Sequence, residues 1–506
     1  MRPQRWRPTA VLKLVLVLLG VAVVPHVVNV VERWSWDGEP FSRVRHRVER
    51  YLRDTGLPSI SVAAAKDGRI VWEESFGWAD VERRTAATPR TMYALASTSK
   101  AFTATGIMAL VERGLLDLDR PVSDYVPDVQ LRPYEGDLSD VTLRRIFTHT
   151  SGLPQFWCHY YEDELATRPS ASDLMDRYGI LVSPPGERFI YSNVGIGLAR
   201  LVIENVSGTS YAEFMQAEVL DPLGLAHTAI LTAPYEDAGI AQKYMRGEKL
   251  PFGDMGFRAA GSFWASAGDL VRFGMFHLGG RFPDQKAILS ERTRAMMFEA
   301  VDPRLPDHNR HLPWIEYGHR GYRIMEFGGH VVGGKVSFRL VPSEDVAVVV
   351  MSNGDEADTQ KISSWVLNHL LPGFRWTGIP GQVWARLGRL GIHAARGTGD
   401  LAGPWVGAIR TEEGDIPMRL VIDERGEARL GVGDGNEVTG SGHVSEDTVF
   451  ATFPASIPTA ETARDEHQVI LDLRLRGGTL GGPVYAESTR RPVFWLPFYA
   501  RLTRAE

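Results

Sequence analysis

Two strand-like hairpins stand far apart in this chain, and helical periodicity fills most of what lies between them. SISVAAAKDGRIVWEESFGWAD, residues 59–80, reads as two strands around a Lys-Asp-Gly turn, and residues 335–353 read as two more, KVSFRLVP and VAVVVMSN, around SED. From residue 94 to about 278 helical spacing dominates, interrupted by the turn signals HTSGLP (149–154), SPPGE (183–187) and DPLGL (221–225). Strands that bracket helices constrain the fold strongly, because one sheet must then draw its strands from both ends of the domain while the helices form a separate lobe. A helix over about 44–53 opens this α+β unit, and KISSWVLNHLLPGF, residues 361–374, closes it.

The pattern changes after that. Residues 375–400 are rich in Gly, Arg and Trp and read as a linker. From residue 401 onward, short alternating runs such as WVGAIRT, MRLVIDE, TVFATFP and QVILDLRL alternate with turns such as EEGD, ERGE and GDGN, the rhythm of a small antiparallel barrel or sandwich. The chain therefore divides into an N-terminal segment (1–34), an α+β domain (35–374), the linker (375–400) and an antiparallel β module (401–506).

A formal net charge of -6 and no basic stripe interleaved with aromatics argue against a nucleic-acid partner. The single cysteine, Cys158, forms no intrachain disulfide, and no metal site can be built from thiolates alone. Arg2, Arg5, Arg7 and Lys13 precede LVLVLLGVAVV at residues 14–24, and the apolar character continues to Val31. No clear small-x-small cleavage site follows, so the segment reads as an uncleaved signal-anchor, a single transmembrane helix with the arginines held on the cytoplasmic side. The expected location is the cell membrane with the remaining domains extracytoplasmic; a cleaved signal and a secreted or periplasmic protein is the alternative.

ALASTSKAFTATGIMALVERGLLDL, residues 94–118, reads as one amphipathic helix with a lysine in its first turn, where the helix dipole disfavours a cation. Residues three apart share a helix face, so the Ser97 hydroxyl and the Lys100 amine meet at that end. Burial and the dipole both lower the amine's pKa, which lets a neutral Lys100 take the serine proton, while the Ser97 N–H stabilises an oxyanion. In GERFIYSNVGIGLAR, residues 186–200, Tyr191 is a candidate second proton carrier, and Asn193 offers an amide donor and acceptor to a substrate carbonyl or to Lys100.

Taken together, STSK with the run that follows it, VTLRRIFTHTSGLP, PGERFIYSN, EVLDPLGLAHTAI and AAGSFWASAGDLVRF resemble the class C beta-lactamase-like serine hydrolases, a group that includes penicillin-binding proteins, D-Ala-D-Ala carboxypeptidases, D-aminopeptidases and esterases. The resemblance spans roughly residues 45–370 and implies a two-lobed fold, an antiparallel sheet lobe and a helical lobe meeting at a cleft. It implies Ser97 as acyl-accepting nucleophile, Lys100 as its partner, Tyr191 as general base and Asn193 as a substrate contact, with no metal or organic cofactor. His149 matches a position read as structural.

The third family motif departs from the pattern. Relatives carry Lys-Thr-Gly or His-x-Gly on an edge strand facing the serine; here EFGGHVVGG offers two registers. Counting back from the KVSFRLVP hairpin puts Phe327-Gly328-Gly329 in the slot, with the His330 backbone N–H completing the oxyanion site. The other register puts His330 in the basic position and Val332 at the glycine. Alternation along a strand places Phe327 and His330 on opposite faces. Phenylalanine neither supports a tyrosinate nor attracts a carboxylate, so neutral esters, amides or amidated peptides are the expected substrates. A catalytically weak sensor or binding protein, or a true beta-lactamase or carboxypeptidase, are the alternatives.

The aromatic segment QFWCHYYED, residues 155–163, reads as a loop packed into the core, with cleft lining as the alternative. Residues 401–504 resemble the small lipocalin-like barrels appended to some of these hydrolases, and a packing or substrate-shaping role is expected of them.

Overall fold

The computed structural model describes residues 40–235, 239–280, 282–299, 311–375, 399–490 and 494–505. Residues 1–34, read from the sequence as a signal-anchor, and nearly all of the linker lie outside the described residues. Among the described residues no helix is long and apolar enough to cross a membrane.

The first domain opens with helix α1 (Ser42–Thr55) and the hairpin β1 (Ser59–Lys66) and β2 (Arg69–Asp80), followed by a short β3 (Thr85–Ala86). Asp67 and Gly68, at φ 50° and 70°, are both left-handed, the conformation that lets a two-residue turn follow the strand twist. Next come α2 (Ser99–Glu112), β4 (Trp157–Tyr161), α3 (Asn193–Ser207), β5 (Gly253–Met255) and α4 (Ala267–Leu278). The domain ends with β6 (Ile315–His319), β7 (Tyr322–Glu326), β8 (Gly329–Val331), β9 (Gly334–Val341), β10 (Val346–Ser352) and α5 (Thr359–Leu370).

These strands form an antiparallel sheet in the order β6-β7-β9-β10-β1-β2-β3, with β8 continuing beside β9 at the edge. The two end hairpins thus meet in its centre, β1 against β10, from Ile60 opposite Ser352 to Lys66 opposite Val346. Both faces are buried, which explains the near-continuous apolar runs of these strands. Ile60, Val62, Val348 and Val350 pack with Val48 of α1 and Val366 of α5, whereas Ala63, Ala65, Val349 and Met351 pack with Phe102 of α2 and Leu270 of α4.

Two sequence readings need correction. Residues 94–118 are not one amphipathic helix: a 3-10 turn over Ala96–Thr98 precedes α2, and every residue from Ser99 to Leu110 is buried. Small side chains all round, Ala101, Ala104, Gly106 and Ala109, let α2 run through the centre of the lobe with no solvent face. The QFWCHYYED segment contains the strand β4 rather than a loop.

The C-terminal module is the antiparallel, nearly closed barrel that the alternating runs predict. Its strands are β11 (Gly403–Thr411), β12 (Gly414–Ile422), β13 (Ala428–Val432), β14 (Val438–Thr439), β15 (Ser441–Ser445), β16 (Thr448–Phe453), β17 (His467–Arg476), β18 (Thr479–Ser488) and β19 (Phe494–Arg504). They lie in the order β14-β13-β12-β11-β19-β18-β17-β16-β15, with Trp405, Leu420, Leu430, Leu471 and Leu496 filling the interior. The barrel is joined to the first domain by backbone pairing, because β19 extends past β11 to pair with β4, Phe494 opposite Cys158 and Trp495 opposite Trp157. Arg464 to Glu164 at 2.8 Å, Arg188 to Asp472 at 2.7 Å and the Tyr499 hydroxyl to Glu135 at 2.6 Å reinforce the junction.

Candidate active site

The site is built around the start of α2. Ser97 lies in the 3-10 turn just before the helix, and Ala96 in front of it is held at φ 47°, a left-handed conformation that an alanine adopts only under constraint. Lys100, one turn on, is fully buried and donates to Ser97 Oγ at 3.3 Å and to the Ala260 carbonyl at 2.9 Å. No carboxylate stands beside it among the described residues, and burial pushes its amine well below its ordinary pKa.

Tyr191 arrives from the loop that enters α3, and its hydroxyl donates to Ser97 Oγ at 2.7 Å. The Lys100 Nζ sits 4.8 Å from the centre of the tyrosine ring, so serine, lysine and tyrosine form one connected cluster. Ser192, the next residue, caps α3: its Oγ accepts from the Gly195 amide at 2.9 Å and donates to the Pro154 carbonyl at 2.8 Å. His149 supports the same loop, accepting the Ser192 amide on Nδ1 at 3.1 Å with its ring 4.3 Å from that of Tyr191.

Asn193 also faces the site. Its Nδ2 donates to the Phe156 carbonyl at 2.8 Å, and its Oδ1 is buried with no hydrogen-bond partner among the described residues. The amide therefore presents an acceptor rather than a donor, and Lys100 bonds to Ser97 and Ala260 in its place.

The edge segment carrying the third motif keeps one register throughout: Met325 opposite Leu340, Glu326 opposite Arg339, Gly329 opposite Val336 and His330 opposite Lys335, with no bulge. Phe327 and His330 accordingly face opposite ways, the first buried in the core and the second exposed. Hydrogen-bonded and non-bonded pairs alternate in an antiparallel ladder. The Phe327 amide donates to the Phe338 carbonyl at 3.0 Å, so the His330 amide, three residues on, points away from β9 toward the open edge. That edge abuts the serine turn, where Thr98 Oγ1 donates to the Phe327 carbonyl at 3.2 Å.

A small cleft, with about 40 Å³ of free space, opens over Ser97 and is lined by Tyr191, Asn193, Gln155, Trp157 and His330 among others. Of the residues singled out from the sequence, Ser97, Tyr191, Asn193 and His330 reach this cleft and Lys100 lies beneath it. Phe327 and Gly329 do not line it: the phenylalanine ring is in the core and the glycine packs on the serine turn. The imidazole of His330 is tied at 2.8 Å to Asp355, which also accepts the Gly333 amide at 3.3 Å. Sequence reasoning missed Ala96 and Ala260, whereas Gln155 and Trp157 of QFWCHYYED line the cleft, as the alternative reading of that segment has it. The strand-forming aromatics at 157–161 were the available signal for that wall.

Comparison with known proteins agrees with this geometry. Protein flp of Staphylococcus aureus (strain COL) is 31% identical over 192 residues, 37% of this chain and 38% of its own length. A penicillin-binding protein of Bacillus subtilis (strain 168) is 34% identical over 175 residues, 34% of this chain and 37% of its own. The alignments thus span less than two fifths of the curated relatives. The octameric penicillin-binding protein homologue from Pyrococcus abyssi superimposes over 92% of this chain and 100% of its own, with a TM-score of 0.57 at 22% identity, a likeness of fold. Residues 44–370 match the beta-lactamase family, and the chain, with a lysine-backed, tyrosine-bonded serine at the head of its central helix, belongs to that family.

Proposed function

We propose that the protein is a membrane-anchored, extracytoplasmic serine hydrolase that acts on an ester, amide or peptide through an acyl-enzyme on Ser97. The observation that carries this reading is the pair of contacts on Ser97 Oγ, 2.7 Å from Tyr191 and 3.3 Å from a lysine that burial holds toward its neutral form. Ser97 Oγ attacks the substrate carbonyl and its proton passes into the Lys100 and Tyr191 pair. The resulting oxyanion is held by the Ser97 and His330 backbone amides. As the intermediate collapses, the leaving group departs with that proton, and water then releases the acid in a second, equivalent step. Asn193 Oδ1 accepts a hydrogen bond from the substrate.

The anchor reading draws on the cluster of Arg2, Arg5, Arg7 and Lys13 before the apolar run, and the edge-strand reading on Phe327, whose buried ring leaves the usual cationic position apolar. A fluorophosphonate probe on the full-length protein tests the nucleophile: labelling that disappears in Ser97→Ala is expected, and absence of labelling in folded wild type overturns the reading. The apolar slot at Phe327 also favours a second reading, a slow sensor. Acyl-enzyme that accumulates with an activated ester, without steady turnover, would select it.

A further inference from the structure

A second cavity, with about 450 Å³ of free space, opens where the first domain meets the barrel, and it shares no lining residue with the cleft over Ser97. Its volume falls in the range of roughly 300–1,000 Å³ usual for small-molecule sites. The first domain contributes Tyr178, at the end of the helix Ala171–Tyr178, with Arg132 and Ile180, which stand opposite each other in a short parallel strand pair. The barrel contributes Pro497 and Phe498 of β19 and the turn that follows β11. Two donors at this cavity lack a partner among the described residues. Arg132 donates through Nη2 to the Arg177 carbonyl, while its Nε is buried with nothing to bond. Tyr178 is 4% exposed, yet its hydroxyl makes no hydrogen bond. Burial, and next the Glu461 carboxylate, hold that phenol well above its ordinary 10.0, so it remains a donor.

The other charges that line the cavity are already engaged. Arg177 lies between Glu461 at 3.2 Å and Glu412 at 3.5 Å, Arg410 pairs with Asp415, and the exposed Glu413 accepts the Ala460 amide at 2.7 Å. Arg132 is thus the lining cation that no carboxylate meets among the described residues. Unpartnered buried donors are costly, and an acceptor bound in the cavity relieves them. A guanidinium favours a carboxylate in that role, and the apolar surfaces of Ile180, Pro497 and Phe498 suit a hydrocarbon body. We propose that the junction cavity is a binding site for an apolar carboxylic acid, with its carboxylate on Arg132 and the Tyr178 hydroxyl. The site is separate from the serine and stands whether or not Ser97 forms an acyl-enzyme.

Titration calorimetry on the full-length protein at neutral pH tests this with phenylbutyrate, phenylbutanol and phenylbutylamine, which share an apolar body and differ in the head group offered to Arg132. Wild type is expected to bind the acid about ten-fold or more tightly than the alcohol, and the amine most weakly, because a charge-assisted hydrogen bond favours the acid. Arg132→Met should abolish that preference, and Arg132→Lys, which keeps the charge, should retain part of it. Tyr178→Phe, which removes one hydroxyl and leaves the packing in place, should weaken the acid several-fold. Prior labelling of Ser97 with fluorophosphonate should leave the acid's affinity unchanged, since the two sites share no lining residue. Acid and alcohol affinities within about two-fold of each other in wild type overturn the site. So does acid binding that both Arg132→Met and Tyr178→Phe leave intact, or that disappears once Ser97 is labelled.

Discussion

Gly329 packs on the Leu95 carbonyl so tightly that a Cβ built on it would fall well inside van der Waals contact with that oxygen and 3.0 Å from Thr98 Oγ1. The edge strand and the serine turn are thus held together through a position where only glycine fits. Gly329→Ala should force the strand outward, costing about 1–3 kcal/mol in stability as an overpacked contact. A shift of about 1 Å at an oxyanion donor costs on the order of 100-fold in rate. Thermal melts and single-turnover acylation rates check both, and an alanine variant with wild-type acylation would show that β8 does not position the reaction.

Ala96→Gly probes the strained turn in front of the nucleophile. A left-handed alanine costs roughly 1–2 kcal/mol, which glycine relieves, while the greater freedom of the unfolded glycine chain offsets about 0.4–1 kcal/mol of the gain. The variant should melt slightly higher and acylate several-fold more slowly, because Ser97 is no longer held as firmly. A lower melting temperature would mean that the φ of 47° is not a source of strain.

Lys100 links catalysis to stability. Its amine titrates well below the ordinary value of 10.5 in the fold, solely through burial, so between those two values the unfolded chain binds one proton more. Stability then rises with pH across that window and is lowest below the folded-state pKa. Lys100→Met removes the titration, so its melting temperature should respond less to pH between 7 and 10 than that of wild type. Acylation should fall by about 100-fold or more, since the proton acceptor is gone. Parallel melting curves for the two proteins would contradict a depressed lysine.

Much of this was legible from local patterns. The Ser97 and Lys100 spacing, the place of Tyr191 and Asn193 where a loop enters a helix, the sheet drawn from both ends and the barrel rhythm after residue 401 all follow from periodicity and turn chemistry, and the structure shows each. Opposite faces for Phe327 and His330 followed from strand alternation alone. What escaped was non-local. Nothing in QFWCHYYED indicates that its strand finds partners 94 residues later in Gly253–Met255 and far downstream in Phe494–Arg504. The left-handed Ala96 is set by the packing around it, not by its own preference, and the Ala260 carbonyl that receives Lys100 carries no side-chain signature.

The signal-anchor reading of residues 1–34 predicts that the full-length protein stays in the membrane fraction after a high-salt wash, with its N-terminus intact. N-terminal sequencing checks it directly. A new terminus between Val24 and Trp34 would make the protein a soluble exported hydrolase instead.

The barrel should be coupled to the cleft through Arg464. Its guanidinium bonds Glu164 of the first domain at 2.8 Å and Glu461 of the barrel, and lies 4.7 Å from the centre of the Tyr160 ring on β4. With the side chains of Glu164 and Glu461 only 17% and 19% exposed, Arg464→Met leaves Glu164 poorly solvated without its cation and Glu461 with Arg177 alone, at 3.2 Å. A fully buried pair broken in this way costs about 3–5 kcal/mol, so about 1–3 kcal/mol is expected for this partly exposed one. The loss should reach the site because β4, which Arg464 braces, also carries Trp157 of the cleft wall. Cys158 reports on that strand: burial pushes its thiol up to about 12, so native wild type should resist a maleimide at neutral pH. In Arg464→Met, maleimide labelling should accelerate at least ten-fold as β4 loosens from β19, and fluorophosphonate labelling of Ser97 should slow in parallel. A variant that melts lower yet keeps Cys158 protected and Ser97 fully reactive would show that the barrel adds stability without shaping the cleft.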